Sequence, residues 1–270
     1  MVINTNISAL NAANDLDQSN SSLNASLARL STGSQLVNAS DNPAGLAKSI
    51  SLNAQIGQTT AANDNVGNAT SFLQTQDGYL QQVGSALDQM ASLAVEAQDG
   101  TISTTQAADY QKEFAALGAY ITSTASQTFN GVSLFAGTSL VVTTNGSTGK
   151  TTLTGINLGT GSKYATAIAT SISTSTGAAA ALTAVTNAID QLGTDRAQVG
   201  ANEETMSFTN QELSVLATNL TAANSQISDV DVATESTNFA KYQILVQSGT
   251  SMLAQANQNP QNVLKLIQNI

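Results

Sequence analysis

Asp229, Asp231 and Glu235 put three carboxylates within one short stretch, a spacing from which a loop could hold a divalent cation. The further oxygen-bearing positions and the glycine of an EF-hand loop are missing around them, so a polar turn joining two helical domains is the better reading. The rest of the acid–base repertoire is narrow. The chain has no histidine and no cysteine. That excludes a Ser-His-Asp triad, a His-Glu-x-x-His zinc site, an imidazole shuttle, a disulfide framework and a thiolate metal site. Carboxylate-only hydrolysis, Ser-Lys chemistry and Mg²⁺ binding survive, but no cluster argues for them. The expectation is a protein with no catalytic residues, no metal and no cofactor.

Charge points the same way. Of 270 residues only 10% are charged, with a formal net charge of −10 and two arginines, Arg29 and Arg196. Phosphate backbones repel such a chain, and no run of lysines offers a foothold on an anionic membrane, so neither nucleic acid nor membrane is an expected partner. Nowhere do eighteen apolar residues run together, so no membrane insertion is expected. The opening stretch MVINTNISALNAAND has neither a basic segment nor a continuous apolar one. Export, if it occurs, is expected by a route other than a cleaved secretory leader.

Elements must carry the function instead. Val185, Leu192, Val199, Met206, Leu213, Leu220 and Ile227 recur every seven residues, which predicts a coiled-coil-like helix about 70 Å long. The companion column is read as Leu182, Ile189, Arg196, Glu203, Asn210, Ala217 and Asn224, whose polar members cost stability but can fix register. Leu16, Leu23, Leu27 and Leu30 make a stripe near the start of the chain. Further seams follow at Leu52–Val66 and Leu73–Ala94. Gly33 is expected to end the first helix, and Asp41 or Asn42 ahead of Pro43 to start the next. Another helix is expected over about 104–128, then a hairpin of 141–144 with 150–154, and irregular surface up to a helix resuming near Gly177.

The far end is the most unusual. Phe239, Tyr242, Val246 and Leu253 continue an apolar helical stripe toward ANQNPQNVLKLIQNI, where Pro260 starts a last turn bearing Val263, Leu264 and Ile267. Chain ends normally fray into polar disorder. The fold expected is mainly α: a long antiparallel coiled-coil-like helical bundle with paired N- and C-terminal helices and a small β-hairpin insert at about 130–176.

These residues resemble bacterial flagellin. The motifs are INTN at 3–6, RLSTG at 29–33, ASDNPAGLA at 39–47, TFNGVSLF at 128–135, SQISDVDVATES at 225–236 and the closing ANQNPQNVLKLI. Together the resemblance covers about 1–136 and 178–270. It implies a terminal coiled-coil domain of 1–40 plus 230–270 forming a filament core, and a helical bundle domain of 41–229. With some forty residues between the halves, the chain looks like a short form without large outer domains.

The implied function is a structural subunit that polymerises with itself into the extracellular filament used for swimming. Its terminal stripes would be buried on like copies, while the bundle seam would be internal. The implied partners are a flagellar export chaperone, the type III export apparatus, the filament cap and the hook-junction proteins. Neighbouring bundles sliding at Arg196, Glu203 and Asn210 would be the switchable part. Leu87–Thr101 corresponds to the stretch through which some flagellins are sensed by an innate immune receptor. Gln89, Ala91 and Ser92 stand here where those members carry charges, so strong recognition is not expected, and Leu87 and Leu93 read as helix packing. A hook-junction protein resembles flagellin at both ends and is the alternative; a secreted coiled-coil translocator or adhesin is a more distant one.

Overall fold

A computed structural model describes residues 6–145 and 149–268, of which 259–268 are described by backbone alone. Six helices and four short strands follow in the order α1 (Ile7–Thr32), α2 (Pro43–Glu96), α3 (Thr104–Thr124), β1 (Thr128–Phe129), β2 (Val132–Ser133), β3 (Leu140–Thr143), β4 (Lys150–Leu153), α4 (Lys163–Ile168), α5 (Ser175–Ser228) and α6 (Val232–Gln268). The chain forms two compact units, 1–55 with 219–270, and 56–218.

Local chemistry sets the helix ends. Asn6 caps α1, its side chain accepting from the Ala9 amide. Gly33 ends α1 in the left-handed region, φ 70°, which a residue without Cβ adopts at no steric cost. Asn42 starts α2 by accepting from the Gly45 amide at 2.9 Å, with Pro43 as the first helical residue. Asp41 has a separate task, accepting from the amides of Val37 and Asn38. Ser103 and Gln106 form a reciprocal capping box at the start of α3.

The core lies in 62–213. Along α2 the positions Ala62, Val66, Ala69, Leu73, Gln76, Leu80, Val83, Leu87, Met90 and Ala94 are all buried, as is Ala97 just past its end, alternating steps of four and three as a 3.5-residue repeat requires. On α5 the buried column of Val185, Leu192, Val199, Met206 and Leu213 is the one expected. Its companion is not. The second buried column is Ala181, Ala188 and Asn202, and Leu182 and Ile189 are only partly covered. Asp195, on the true column, accepts a 2.7 Å hydrogen bond from the fully buried Tyr164 of α4. That side of α5 therefore faces the insert, and the small alanines allow close approach.

The insert is more ordered than its composition suggests. The hairpin is β3 with β4, pairing Leu140 with Leu153 and Thr143 with Lys150. A second, smaller hairpin, β1 with β2, turns at Asn130 and Gly131, whose φ values of 49° and 79° both lie in the left-handed region. Asn-Gly is the sequence such a tight turn favours. The expected helix over 104–128 consequently stops at Thr124. The stretch expected as irregular surface instead holds α4 and buries Ile156, Leu158, Tyr164, Ala167 and Ile172 in the main core. Alternation in a Ser/Thr-rich run hides these apolar positions from a simple composition count.

Candidate assembly surfaces

In the unit of 1–55 with 219–270, α1 and α6 run antiparallel. The Asn6 Nδ2 donates to the Ala256 carbonyl at 2.8 Å, and Ser26 donates to the Glu235 carbonyl at 3.4 Å. Between them Gly249 leaves room for Leu16, whose Cδ1 would lie 3.2 Å from an added Cβ. At the turn end, the Gln35 amide donates to Ser228 O and the Val230 amide to Gly33 O, zipping the two connections together.

This pair has almost no dry interior. Leu16, Leu23 and Leu30 of α1 and Phe239, Tyr242, Val246 and Leu253 of α6 are half-buried, and Leu27 is exposed. Ser26 takes the inward place beside Leu27. Throughout 6–55 and 219–258 the buried residues are Ser26, Ser49 and Glu235, all polar. Meanwhile Ile7, Ile244 and Met252 stand 63%, 63% and 64% exposed. Val263, Leu264 and Ile267 lie outside the residues whose side chains are described.

The acidic trio is occupied by the turn. Asp229 accepts from the hydroxyls of Ser225 and Ser228, which hold its carboxyl below the usual range. Asp231 caps α6, accepting from the hydroxyl and amide of Thr234 and the amide of Ala233, with the same effect. Glu235 sits 4.0 Å from Arg29 of α1. Asp229 and Asp231 thus fix the turn between α5 and α6, and Glu235 alone of the three faces α1.

The polar positions of α5 are also spoken for within the chain. Arg196 makes two hydrogen bonds to Asp77, at 2.8 and 3.2 Å. Asn210 donates to Asn63 at 2.8 Å, and Asn224 accepts from Ser49 at 2.7 Å while donating to Asn53 at 3.1 Å. Their partners all lie on α2, so these side chains tie α5 to α2 within the chain. Leu220 and Ile227, at the end of the seam, are half-buried. In the stretch compared with immune-sensed flagellins, Leu87 and Leu93 are buried and Gln89 is exposed.

A long helical bundle joined to a helix pair with no buried apolar residue among those described is the architecture of a protein made to assemble. Two family descriptions fit it: the bacterial flagellin N-terminal helical region matches residues 3–140, and the bacterial flagellin C-terminal helical region matches residues 182–267. The chain is 34% identical to flagellin of Bacillus subtilis, across 99% of this chain and 100% of that one. It is 33% identical to the flagellar filament 33 kDa core protein of Treponema phagedenis, again across 99% and 100%. The crystal structure of Bacillus cereus flagellin superposes with a TM-score of 0.50 at 25% identity, covering 60% of this chain and 94% of the other. A flagellar hook-associated protein from Vibrio parahaemolyticus gives a TM-score of 0.59 at 15% identity, over 70% and 100%. That last likeness is one of fold alone.

The chain belongs to the bacterial flagellin family. It is a structural subunit of the flagellar filament, and the hook-junction alternative is not favoured, because the relatives matched along the whole chain are filament proteins.

Proposed function

We propose that the α1–α6 pair, within 1–40 plus 230–270, forms the filament core layer and is completed by the same pair of neighbouring copies, with 41–229 as the next layer. One observation carries this reading. The described part of the terminal unit buries only Ser26, Ser49 and Glu235, yet it leaves Ile7, Leu10, Leu27, Ile50, Val232, Ile244, Leu245 and Met252 exposed. Helices of this length gain most of their stability from packing an apolar face, and a contact repeated between copies without closing a ring generates a helical polymer. Leu16, Leu23, Leu30, Phe239, Tyr242, Val246 and Leu253, half-covered within the chain, supply the remaining apolar surface, and Val263, Leu264 and Ile267 are assigned to the same contact from their place in the sequence.

The same exposed stripe supports the finer partners. An export chaperone would cover the α6 face before assembly, the type III apparatus would pass the chain to the cell exterior, and the cap and hook-junction proteins would receive it. The assembled tube would act in swimming by transmitting torque. The test uses purified full-length protein seeded with ammonium sulfate. Sedimentable tubes visible by electron microscopy are expected from it, and none from a chain lacking 1–32 and 232–270. Tubes from the trimmed chain would refute the assignment of the core layer.

A further inference from the structure

The bundle unit carries a second uncovered face with a charge pattern of its own. Phe208 and Val215 of α5 are 62% and 61% exposed. Glu204 and Glu212, also exposed, lie four residues to either side of Phe208. Positions 204, 208, 212 and 215 fall on one helix face. The result is Phe208 flanked by two carboxylates about 12 Å apart along the axis, with Val215 just beyond the second. Neither glutamate has an ion-pair partner among the described residues.

The complementary surface is in the same chain. Between Glu113 and Asp190 the charged residues are Lys150 and Lys163, so this segment carries +2 in a chain of −10 and the remainder carries −12. Register puts Lys150 on the outside. It pairs with Thr143, and Val141 pairs with Thr152, so alternation turns these four side chains to one face. All four are exposed, and Val142 and Leu153 on the opposite face are buried. Val141 is thus an exposed apolar residue beside a cation, on a locally cationic stretch of an acidic molecule.

We infer that the outer face of the β3–β4 hairpin of one copy docks on the α5 strip of another, Val141 against Phe208 and Val215, with Lys150 in the negative field of Glu204 and Glu212. This rests on the filament reading and adds to it a contact made by the bundle unit, separate from the terminal helices. The partner is a second copy because this chain presents both halves of a matched apolar and charged pair, and like-charged surfaces would oppose the same contact. An anionic lipid surface is disfavoured by the two glutamates.

Charge reversal tests it. Full-length E204K/E212K and full-length K150E should each raise the critical concentration for seeded assembly about tenfold at low salt. The triple variant E204K/E212K/K150E should return it to near the wild-type value. Circular dichroism of the monomers checks folding, and E204Q/E212Q gives a milder version if reversal perturbs the helix. Assembly of either reversed variant at the wild-type concentration overturns the contact and leaves the filament reading intact. Impaired assembly that the triple variant does not rescue overturns it equally. Failure of the wild-type protein to assemble would instead remove the filament reading on which it rests.

Discussion

Asp77 shows how a single side chain couples the bundle to pH. The guanidinium of Arg196 donates two hydrogen bonds to it and holds its carboxyl below the ordinary 3.8, against a smaller opposing effect of burial. A carboxylate with a depressed folded value contributes stability above its unfolded value and loses it as pH falls through the folded one. Glu203 does the reverse. Burial and then the charge of Asp77 raise it above 4.5, so its ionised form costs stability at neutral pH and protonation relieves that cost. Both groups are partly solvated, so each effect is about 0.5 kcal/mol. Thermal melts of the monomer should therefore show a shallower loss below about pH 4 in Asp77→Asn than in wild type. Glu203→Gln should melt slightly higher at neutral pH, and identical acid limbs for wild type and Asp77→Asn would contradict the assignment.

A buried polar residue has sharper consequences. Gln76 lies within the apolar column of α2 and donates to the Leu134 carbonyl at 2.5 Å, tying the segment after β2 to the helix. Gln76→Leu would bury that carbonyl without a donor, a loss of about 1–3 kcal/mol. Tyr164→Phe removes the hydroxyl bonded to Asp195 and should cost about 1 kcal/mol. Urea denaturation reads both, and a neutral Gln76→Leu would show that water reaches Leu134.

Between helices, the polar contacts recur at a fixed interval. Ser49 bonds Asn224, Asn63 bonds Asn210, and Asp77 bonds Arg196, each position 14 residues from the next on its own helix. A shift of one heptad in one direction would break all three and set Asp77 against Glu203. Polar residues on a helix interface are best attested as devices that fix register at some expense in stability. Asn210→Leu alone should destabilise the monomer by about 1 kcal/mol through the stranded Asn63 amide, and Asn63→Leu/Asn210→Leu should recover it. Additive losses in that double-mutant cycle would mean that the two amides do not act as a pair.

The seam that carries these contacts was legible in sequence because Val185 to Leu213 repeat without interruption. Its partner column was misplaced by one residue, since Leu182 and Ile189 look more like core than Ala181 and Ala188. The Tyr164 contact, remote in sequence, reveals that α5 also faces the insert. Gly33 and Asn42 mark their boundaries by local chemistry alone, and so could be read directly. Asn130-Gly131 carried the turn signal for β1 and β2, but two-residue strands offer no periodicity to accompany it. The α5 strip around Phe208 was invisible for a different reason: an exposed phenylalanine in a helical pattern reads as core until its burial is known.

Taken whole, the molecule divides its apolar surface unequally. Residues 62–213 enclose a continuous core from Ala62 to Leu213, with Leu80, Val83, Leu87, Met90, Val185 and Met206 all at 0% exposure. The described terminal unit encloses no apolar side chain. Local opening free energy follows buried apolar contact, so the two units should differ in protection long before global unfolding. In monomeric protein, amide hydrogens of α1 and of α6 should exchange orders of magnitude faster than those of α2 between Ala62 and Ala94. Assembly should slow α1 and α6 selectively, because a copy-on-copy contact supplies the cover that the chain lacks and changes little in the bundle interior. Hydrogen exchange followed by mass spectrometry on monomer and filament measures both states. Equal protection of α1 and α2 in the monomer would show that the terminal pair is stable alone, and the argument from its missing core would fail with it.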